Sequence, residues 1–514
     1  METSTYQAYY TKSEPILNYM TNMLRIAPHD SVWEPCGGDG VFVDKILEIS
    51  PTSDITVFEL NPDTVNLLQY KYQQHANINI KLTDTLLDKG VTDRKYKFDK
   101  IIGNPPYGAK CSFEKQRTLN QFYPNLYSKE SYTLFLYACI ECLKENGELS
   151  FIIPDTFLSL HRHEAVRRYI LTYTTIREIA LFPSSFFPGI NFGYANLCII
   201  TLKKSSDIES NLSNKISIRT GFTNVEELPL SNTGTSHVVS QQEIYNQLDC
   251  AFMFDAPNWI TNLINNKNST RIADVAMCVT GFYSGNDKNY LHPLHESCRN
   301  AKKYSIIDPD CIRTTFLSEE EKEYGIIDKK CFIPIVKGGN RKYYKPNDWF
   351  IDWSSKAIME YRKSKKCRFQ NSLYYFQEGI AIPMIRSKQL TAALIENRLF
   401  DQSIVGVFPK EKKLILYLLA FFNSSICTQL INAINPSANN SANYIKKIPF
   451  IHPTENVLLK VNSIVSEIIQ LQKNGCDEID AYERQLDDIF LKLYMEYTPI
   501  QNTPMCTPIQ LSLL

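Results

Sequence analysis

The most chemically pointed stretch of this sequence is Lys100-Ile101-Ile102-Gly103-Asn104-Pro105-Pro106-Tyr107-Gly108. The β-branched pair runs out of Phe98-Asp99 as a buried strand, and consecutive prolines, which lack the N–H a ladder needs, end it at Asn104. The chain presents there a side-chain amide, backbone carbonyls stiffened by two rings of fixed φ, and an aromatic face. This set suits methylation of an exocyclic amine. The amine of adenine is a poor nucleophile because its lone pair is delocalised into the ring; two oxygens accepting its hydrogens let it pyramidalise toward an electrophile. The side-chain oxygen of Asn104 and the backbone oxygen of Pro105 are such acceptors. Tyr107 can stack on the flat base, a contact worth roughly 1–3 kcal/mol. A proline-stabilised turn with a surface tyrosine is the competing reading, and the preceding strands decide between the two.

Those strands each end on a polar group. Ser31-Val32-Trp33-Glu34 reads as a short strand, followed by the bend Pro35-Cys36-Gly37-Gly38-Asp39-Gly40 and a helix through Asp44-Lys45-Ile46-Leu47. Glycines let the backbone approach a ligand closely and leave helix N-terminal amides available. A second strand, Ile55 to Phe58, ends at Glu59, about 20 residues beyond the bend, where an acid can accept both hydroxyls of a ribose. A third, Ile78 to Leu82, ends at Thr83-Asp84, and the fourth ends at Asn104. In an open α/β sheet such strand ends line one crevice. Ahead of them, apolar residues at 16, 17, 20, 23 and 24 predict a packing helix within residues 6–27.

Asn104 to Tyr107 resembles motif IV of the amino-methyltransferases that use S-adenosylmethionine, and Glu34-Pro35-Cys36-Gly37-Gly38-Asp39-Gly40-Val41-Phe42 resembles their motif I. Tyr10-Thr11 is similar to the N-terminal motif X, with Lys12 in place of the usual proline. Together they resemble the gamma class of N6-adenine DNA methyltransferases, the TaqI-like family of restriction-modification systems. The resemblance implies a Rossmann-like class I methyltransferase domain over residues 1–237. It places Thr11, Glu34, Pro35, Cys36, Gly37, Gly38 and Gly40 around the methionine end of S-adenosylmethionine, with Glu59 at its ribose, Asp84 at its adenine and Asn104 bordering it. Thr85, in the cofactor set, departs from the aromatic that some members carry after that Asp, so Leu60 or Pro106 is expected to pack the adenine. Asn104, Pro105, Pro106 and Tyr107 become the catalytic turn. Phe187, in Phe186-Phe187-Pro188, stacks on the second face of a flipped adenine, with Phe192 in reserve. The expected activity is site-specific methylation of adenine N6 in duplex DNA. The alternatives are an RNA-adenine or protein-glutamine methyltransferase using the same signature, and a nonenzymatic DNA-reading subunit.

From Lys203 to about His237 the chain is rich in Ser, Asn, Thr and Lys and reads as a loop or peripheral hairpin before a boundary. Residues 238–514 are expected to form a mixed α/β target-recognition domain, ending in a helical hairpin from about residue 455. Its loosely patterned stretches Ile380 to Arg386, Leu418 to Ser424 and Tyr444 to Phe450 resemble the TaqI-like specificity domain. Between Lys337 and Lys388 stand 12 Lys/Arg against 4 Asp/Glu, interleaved with aromatics. Phosphate contacts supply most nonspecific affinity for nucleic acid, so Lys337, Arg341, Lys342, Arg386 and Lys388 are the expected DNA contacts. The stripes Val457, Val461, Ile464, Val465, Ile468, Leu471 and Ile479, Tyr482, Leu486, Ile489, Phe490, Leu493 predict the hairpin. It is expected to pack on its own chain, giving a monomer.

Length and composition bound these readings. A chain of 514 residues with 44% hydrophobic and 21% charged residues is expected to hold at least two globular domains. Zero net charge excludes a whole-surface nucleic-acid binder and requires a local basic footprint. No apolar run reaches the roughly 18–20 residues that cross a bilayer, and Met1-Glu2-Thr3-Ser4-Thr5 lacks signal-peptide character, so a cytoplasmic, DNA-associated protein without a membrane partner is expected. A viral source would place it in the DNA compartment of the host cell. The 14 cysteines have no paired spacing apart from Cys139 and Cys142, which fall on a predicted helix and read as core thiols. No metal constellation stands in the sequence. Fewer than ten residues precede motif X, so a nuclease at the front is not expected; a companion restriction endonuclease would be a separate chain.

Overall fold

The structure is a computed structural model that describes residues 11, 13–107, 112–187, 196–298, 300–339, 341–385, 388–437 and 439–496. The chain divides into two compact units, Met1–Asp255 and Ala256–Leu514.

In the first unit, β1 (Ser31–Glu34), β2 (Asp54–Glu59), β3 (Ile78–Leu82), β4 (Phe98–Gly103), β5 (Leu143–Pro154), β6 (Thr174–Pro183), β7 (Asn196–Lys204), β8 (Lys215–Thr220) and β9 (Thr235–Ser240) form one sheet, ordered β3-β2-β1-β4-β5-β7-β6-β8-β9. Strands β3 through β5 run parallel, and β7 lies antiparallel between β5 and β6. The chain winds outward from β1 to β3 and returns to place β4 beside β1. That reversal is a switch point, and it opens a crevice at the carboxyl ends of β1 and β4. Burial on both faces explains the near-continuous apolar runs of the central strands. Trp33 of β1 is fully buried, stacked on Phe98 of β4 at 5.1 Å and edge-on to Phe58 of β2 at 5.2 Å. This aromatic cluster ties together the strands that carry the crevice.

Helices α1 (Glu14–Leu24), α2 (Val41–Ile49), α3 (Pro62–Lys71), α4 (Lys89–Thr92), α5 (Phe113–Phe122), α6 (Ser131–Glu141) and α7 (Glu164–Tyr173) connect or cover these strands, followed by α8 (Ile208–Ser213) and α9 (Gln241–Asn246). The α1 stripe buries Ile16, Leu17, Met20 and Leu24 as its spacing predicts. Pro62 sits in the first turn of α3, where its missing N–H has no helical partner to lose, and the Asn61 side chain accepts from Asp63 N at 3.0 Å. Cys139 and Cys142 are fully buried core thiols.

The expected break at 237/238 falls inside β9. The polar stretch after Lys203 adds two strands to the sheet, β8 beside β6 and β9 on its outer edge, and α9 packs on α7. The boundary therefore lies at 255/256. An edge strand with one solvated face needs few apolar residues, which hid β9 from the pattern.

The second unit holds two four-stranded sheets. Strands β10 (Ala276–Thr280), β14 (Gly379–Pro383), β15 (Ala393–Ile395) and β17 (Ile404–Pro409) form one, ordered β10-β17-β14-β15; β11 (Leu291–Pro293), β12 (Phe332–Val336), β13 (Trp349–Asp352) and β16 (Leu399–Phe400) form the other, ordered β11-β13-β12-β16. Phe282 centres an aromatic cluster with Trp353, Tyr361 and Phe369 at 5.8, 5.2 and 5.1 Å. The terminal hairpin is Glu455–Lys473 and Asp480–Met495. Tyr494 stacks on Phe421 at 5.3 Å within the same unit, so the hairpin packs on its own chain. Among the described residues no single helix is long and apolar enough to cross a membrane.

Candidate functional site

The crevice is assembled from the loops after β1, β2, β3 and β4. Gly40 ends the first loop at φ 79°, the left-handed region that favours glycine, and a Cβ there would stand 2.5 Å from the Tyr72 hydroxyl. Tyr72 donates to the Gly40 carbonyl at 2.8 Å and to Asp44 Oδ1 at 2.7 Å, so α3 clamps the loop to the start of α2. On its other side the loop lies against β4. A Cβ on Gly103 would be 3.4 Å from both Cys36 Sγ and Pro35 Cδ. That contact sets the glycine loop directly beside Asn104.

Each strand-end carboxyl has a distinct environment. Glu34 is 1% exposed, and its Oε2 has no hydrogen-bond partner among the described residues. Burial, reinforced by Asp39, Glu59 and Asp44, holds its carboxyl well above the usual range. Glu59 accepts from three backbone amides, Gly38 N at 2.9 Å and Leu60 N and Asn61 N at 2.8 Å each, and so braces the glycine loop against the second one. Asp84 pairs through Oδ2 with Lys115 of α5 at 2.5 Å, and its Oδ1 accepts from Leu86 N at 3.2 Å. Thr85 is buried, and its hydroxyl donates to the Pro35 carbonyl at 2.5 Å. That bond ties the third loop to the first. Leu60 is 46% exposed at the rim.

At the catalytic turn, Asn104 Nδ2 donates to Thr11 Oγ1 at 3.2 Å, which orients the amide with its oxygen on the opposite side. Thr11 is 2% exposed. Ser131, at the start of α6, donates to the Pro106 carbonyl at 2.5 Å and fixes the peptide that follows the second proline. Pro105 and Tyr107 are buried. Behind the turn, Tyr132 and Glu130 both reach His163 Nε2, at 3.1 and 2.9 Å. Strand β5 pairs Phe151 with Gly103 and extends past it to Pro154, and Asp155 follows at its end. Burial pushes the Asp155 carboxyl up to about 6, and Asn196 donates to it at 3.2 Å. Phe187 is buried on Phe182 at 6.3 Å between centroids. The reserve residue Phe192 and the motif X residues Tyr10 and Lys12 lie outside the described residues.

The structure thus brings Thr11, Glu34, Cys36, Glu59, Asp84 and Asn104 to one crevice. Sequence reasoning missed Lys115, Ser131 and Asp155. Ser131 carried a signal, a serine opening a predicted helix, and Asp155 follows a strand-ending proline as Asn104 precedes one. Lys115 carried none.

Three of the five expected basic contacts of the second unit are ion-paired within it. Lys337 is half-buried between Asp287 at 3.3 Å and Asp401 at 3.8 Å, Arg341 pairs with Asp477 at 3.0 Å, and Lys342 pairs with Glu483 at 2.8 Å. Carboxylates distant in sequence neutralise all three. Lys388 is exposed, and Arg386 lies outside the described residues.

Strand order and the polar switch point define the first unit as a Rossmann-like class I methyltransferase fold, joined in this chain to a mixed α/β unit. Residues 48–187 match the family described as Eco57I restriction-modification methylase. The chain is similar to the modification methylase CviBIII of Paramecium bursaria Chlorella virus NC1A, with 34% identity over 187 residues, 36% of this chain and 46% of that one. It is also similar to the type II methyltransferase M.AccI of Acinetobacter calcoaceticus, with 25% identity over 314 residues, 60% and 56% of the two chains. The matches thus span about half the length of these curated relatives. In fold it is similar to the DrdV protein of a DrdV–DNA complex, at TM-score 0.56 and 12% identity over 90% of this chain and 57% of that one. The restriction-modification enzyme LlaBIII, solved bound to DNA, shares the fold at TM-score 0.56 and 13% identity over 91% and 39%.

Proposed function

We propose that this chain is a site-specific DNA methyltransferase that moves a methyl group from S-adenosylmethionine to N6 of an adenine flipped out of duplex DNA. The observation that carries the reading is the placement of Asn104. Its amide is oriented by Thr11 at the end of β4, beside a glycine loop and two strand-end carboxylates. The names of the relatives and the DNA-bound fold neighbours support DNA as the substrate.

The crevice suits the cofactor. The buried Glu34 Oε2 has no hydrogen-bond partner among the described residues, at the strand end facing the glycine loop. Glu59 and Asp84 then follow at consecutive strand ends, acceptors suited to a ribose diol and an adenine amine. S-adenosylmethionine, when bound, supplies an electrophilic sulfonium methyl. Thr11, Glu34, Pro35, Cys36, Gly37, Gly38 and Gly40 would hold its methionine end; Leu60 and Thr85 would flank its adenine, Thr85 by holding the loops together.

Flipping the base costs a few kcal/mol, offset by contacts in the pocket. Asn104 Oδ1 and the Pro105 carbonyl accept the two hydrogens of the target amine and draw its lone pair out of conjugation. Ser131 keeps the Pro106–Tyr107 peptide from rotating away. Tyr107 and Phe187 stack on the two faces of the base, which replaces the protein atoms that now cover both rings. After transfer the nitrogen carries an extra proton, acidic enough to leave to water. Loss of one such preorganised group typically costs about 100- to 1000-fold in rate. Asn104→Ala is therefore expected to slow N6-methyladenine formation at least about 100-fold, while cofactor affinity stays within about threefold. Full activity in the variant, read by nucleoside analysis of the product, would refute the assignment.

A further inference from the structure

With Lys337, Arg341 and Lys342 paired to carboxylates, the next run of exposed positive charge in the second unit follows the helix Ser355–Lys363. Lys363, Lys365, Lys366 and Arg368 are all exposed, and none makes an ion pair among the described residues. Lys363 closes the helix Ser355–Lys363, and the others follow it without a break. The strip is held in place. Tyr283 N donates to the Arg368 carbonyl at 3.3 Å and Arg368 N to the Tyr283 carbonyl at 2.9 Å, a β-bridge to the turn Ser284-Gly285-Asn286. Gly285 has φ 81°, and a Cβ there would stand 2.8 Å from Cys367 N, so the turn presses on the strip as only glycine allows. The Ser284 hydroxyl donates to Asp287 at 2.7 Å and accepts from Asn286 N at 3.1 Å, which makes the turn rigid. Between turn and strip lies a cleft of about 650 Å³, lined by Ser284, Asn286, Tyr290, Glu360, Lys365 and Lys366.

Two carboxylates stand near it. Glu360 accepts from the Tyr290 hydroxyl at 2.5 Å, and Asp287 is taken by Ser284 and Lys337. Neither pairs with the strip. The six residues from 363 to 368 span at most about 20 Å. Duplex DNA carries one negative charge per roughly 1.7 Å of axis, so that length of duplex offers phosphates to all four cations at once.

We propose that the Lys363–Arg368 strip and the Ser284–Asn286 turn form a phosphodiester-binding surface that grips the backbone of duplex DNA without reading its sequence. The proposal rests on the reading of the chain as a DNA methyltransferase. Lys363, Lys365 and Lys366 act as point charges; Arg368 can take a phosphate with two N–H groups. Contacts of this kind set register and orientation and leave sequence to other residues.

The test uses the full chain and the variant Lys363→Ala/Lys365→Ala/Lys366→Ala/Arg368→Ala, with binding to a fluorescent duplex followed by anisotropy from 50 to 200 mM salt. Each phosphate contact contributes about 0.9 to the slope of log affinity against log salt, so the slope is expected to fall by about 3 to 4 in the variant and by half that in Lys365→Ala/Lys366→Ala. Lys365→Arg/Lys366→Arg is expected to keep the wild-type slope. Cofactor affinity, measured by calorimetry, is expected to stay within twofold in all three, and a wild-type circular dichroism spectrum and thermal midpoint report that they fold. An unchanged slope in the fourfold variant, or tighter binding of single-stranded RNA than of duplex by the wild type, overturns the proposal. If the wild type methylates adenine and the slope does not change, the surface fails and the enzyme reading stands. If the slope falls in a chain that methylates nothing, the surface stands and the enzyme reading fails.

Discussion

Asp84 meets two claims on one carboxylate. In the structure its Oδ2 holds Lys115 at 2.5 Å, while the proposed function assigns it the adenine amine of the cofactor. A cofactor amine that takes Oδ2 displaces the lysine. The side chains of Lys115 and Asp84 are 36% and 21% exposed, and ion pairs this open to solvent are worth about 0.2–1 kcal/mol. Replacing Lys115 by methionine keeps the aliphatic stem and removes the competitor, so S-adenosylmethionine should bind Lys115→Met about 1.4- to 5-fold more tightly, from exp(ΔG/RT) with RT near 0.6 kcal/mol. Calorimetric titration at low and at high salt reads both the effect and its cause, because screening weakens the pair and the gap between wild type and variant should narrow at about 0.5 M salt. In the Asp84→Asn background, Lys115→Met should have no further effect. Binding tenfold weaker in Lys115→Met would refute the reasoning, since the lysine would then contribute to the cofactor site; an equal gain in the Asp84→Asn background would show that the pair is irrelevant.

Two further outcomes test the surroundings of the catalytic turn. Thr11→Ala removes both the acceptor that orients the Asn104 amide, worth about 1 kcal/mol, and a proposed contact to the methionine end of the cofactor, so kcat is expected to fall about five- to tenfold and cofactor Kd to rise, while Thr11→Ser restores both; an unchanged kcat would show that Thr11 does not orient the amide. Asp155, pushed up to about 6 by burial, binds its proton more tightly in the folded chain than in the unfolded one. Its contribution to stability is therefore complete below about pH 4 and lost as pH rises through 6. Asp155→Asn should match the wild type in urea midpoint near pH 4 and exceed it at pH 7.5 by the equivalent of roughly 3 kcal/mol. A gap independent of pH would sink that account.

The parts of this protein legible in its sequence are those whose signals are local. Strands β1 to β4 were marked by short apolar runs, and Glu34, Glu59, Asp84 and Asn104 end or follow them at the predicted places. The helical stripes of α1 and the first hairpin helix bury nearly the residues their spacing selects, the latter turned to favour Leu458 and Ile469 over Val457 and Leu471, while the second hairpin helix buries Leu486, Phe490 and the unselected Tyr494 and leaves Tyr482, Ile489 and Leu493 partly exposed. The polar stretch after Lys203, read as a loop or peripheral hairpin, forms the antiparallel pair β8–β9, and only its continuation past His237 escaped, because an edge strand needs little apolar surface. The ion pairing of the expected DNA contacts was hidden for another reason. Arg341 and Lys342 meet Asp477 and Glu483, 136 and 141 residues downstream, and no window along the chain shows such a partner.

The sequence by itself determined the chemistry available at the β4 tip: an amide and a carbonyl made rigid by two prolines, because proline geometry is a property of the covalent chain. Tertiary structure alone decided which groups act on that tip and which charges remain available. Thr11 lies 93 residues from Asn104 and Lys115 lies 31 from Asp84, yet the return of β4 to the side of β1 and the placement of α5 make them neighbours. A lysine's charge is written in the chain, but whether it faces solvent or a carboxylate depends on contacts between distant segments, and these exist only once the fold has closed.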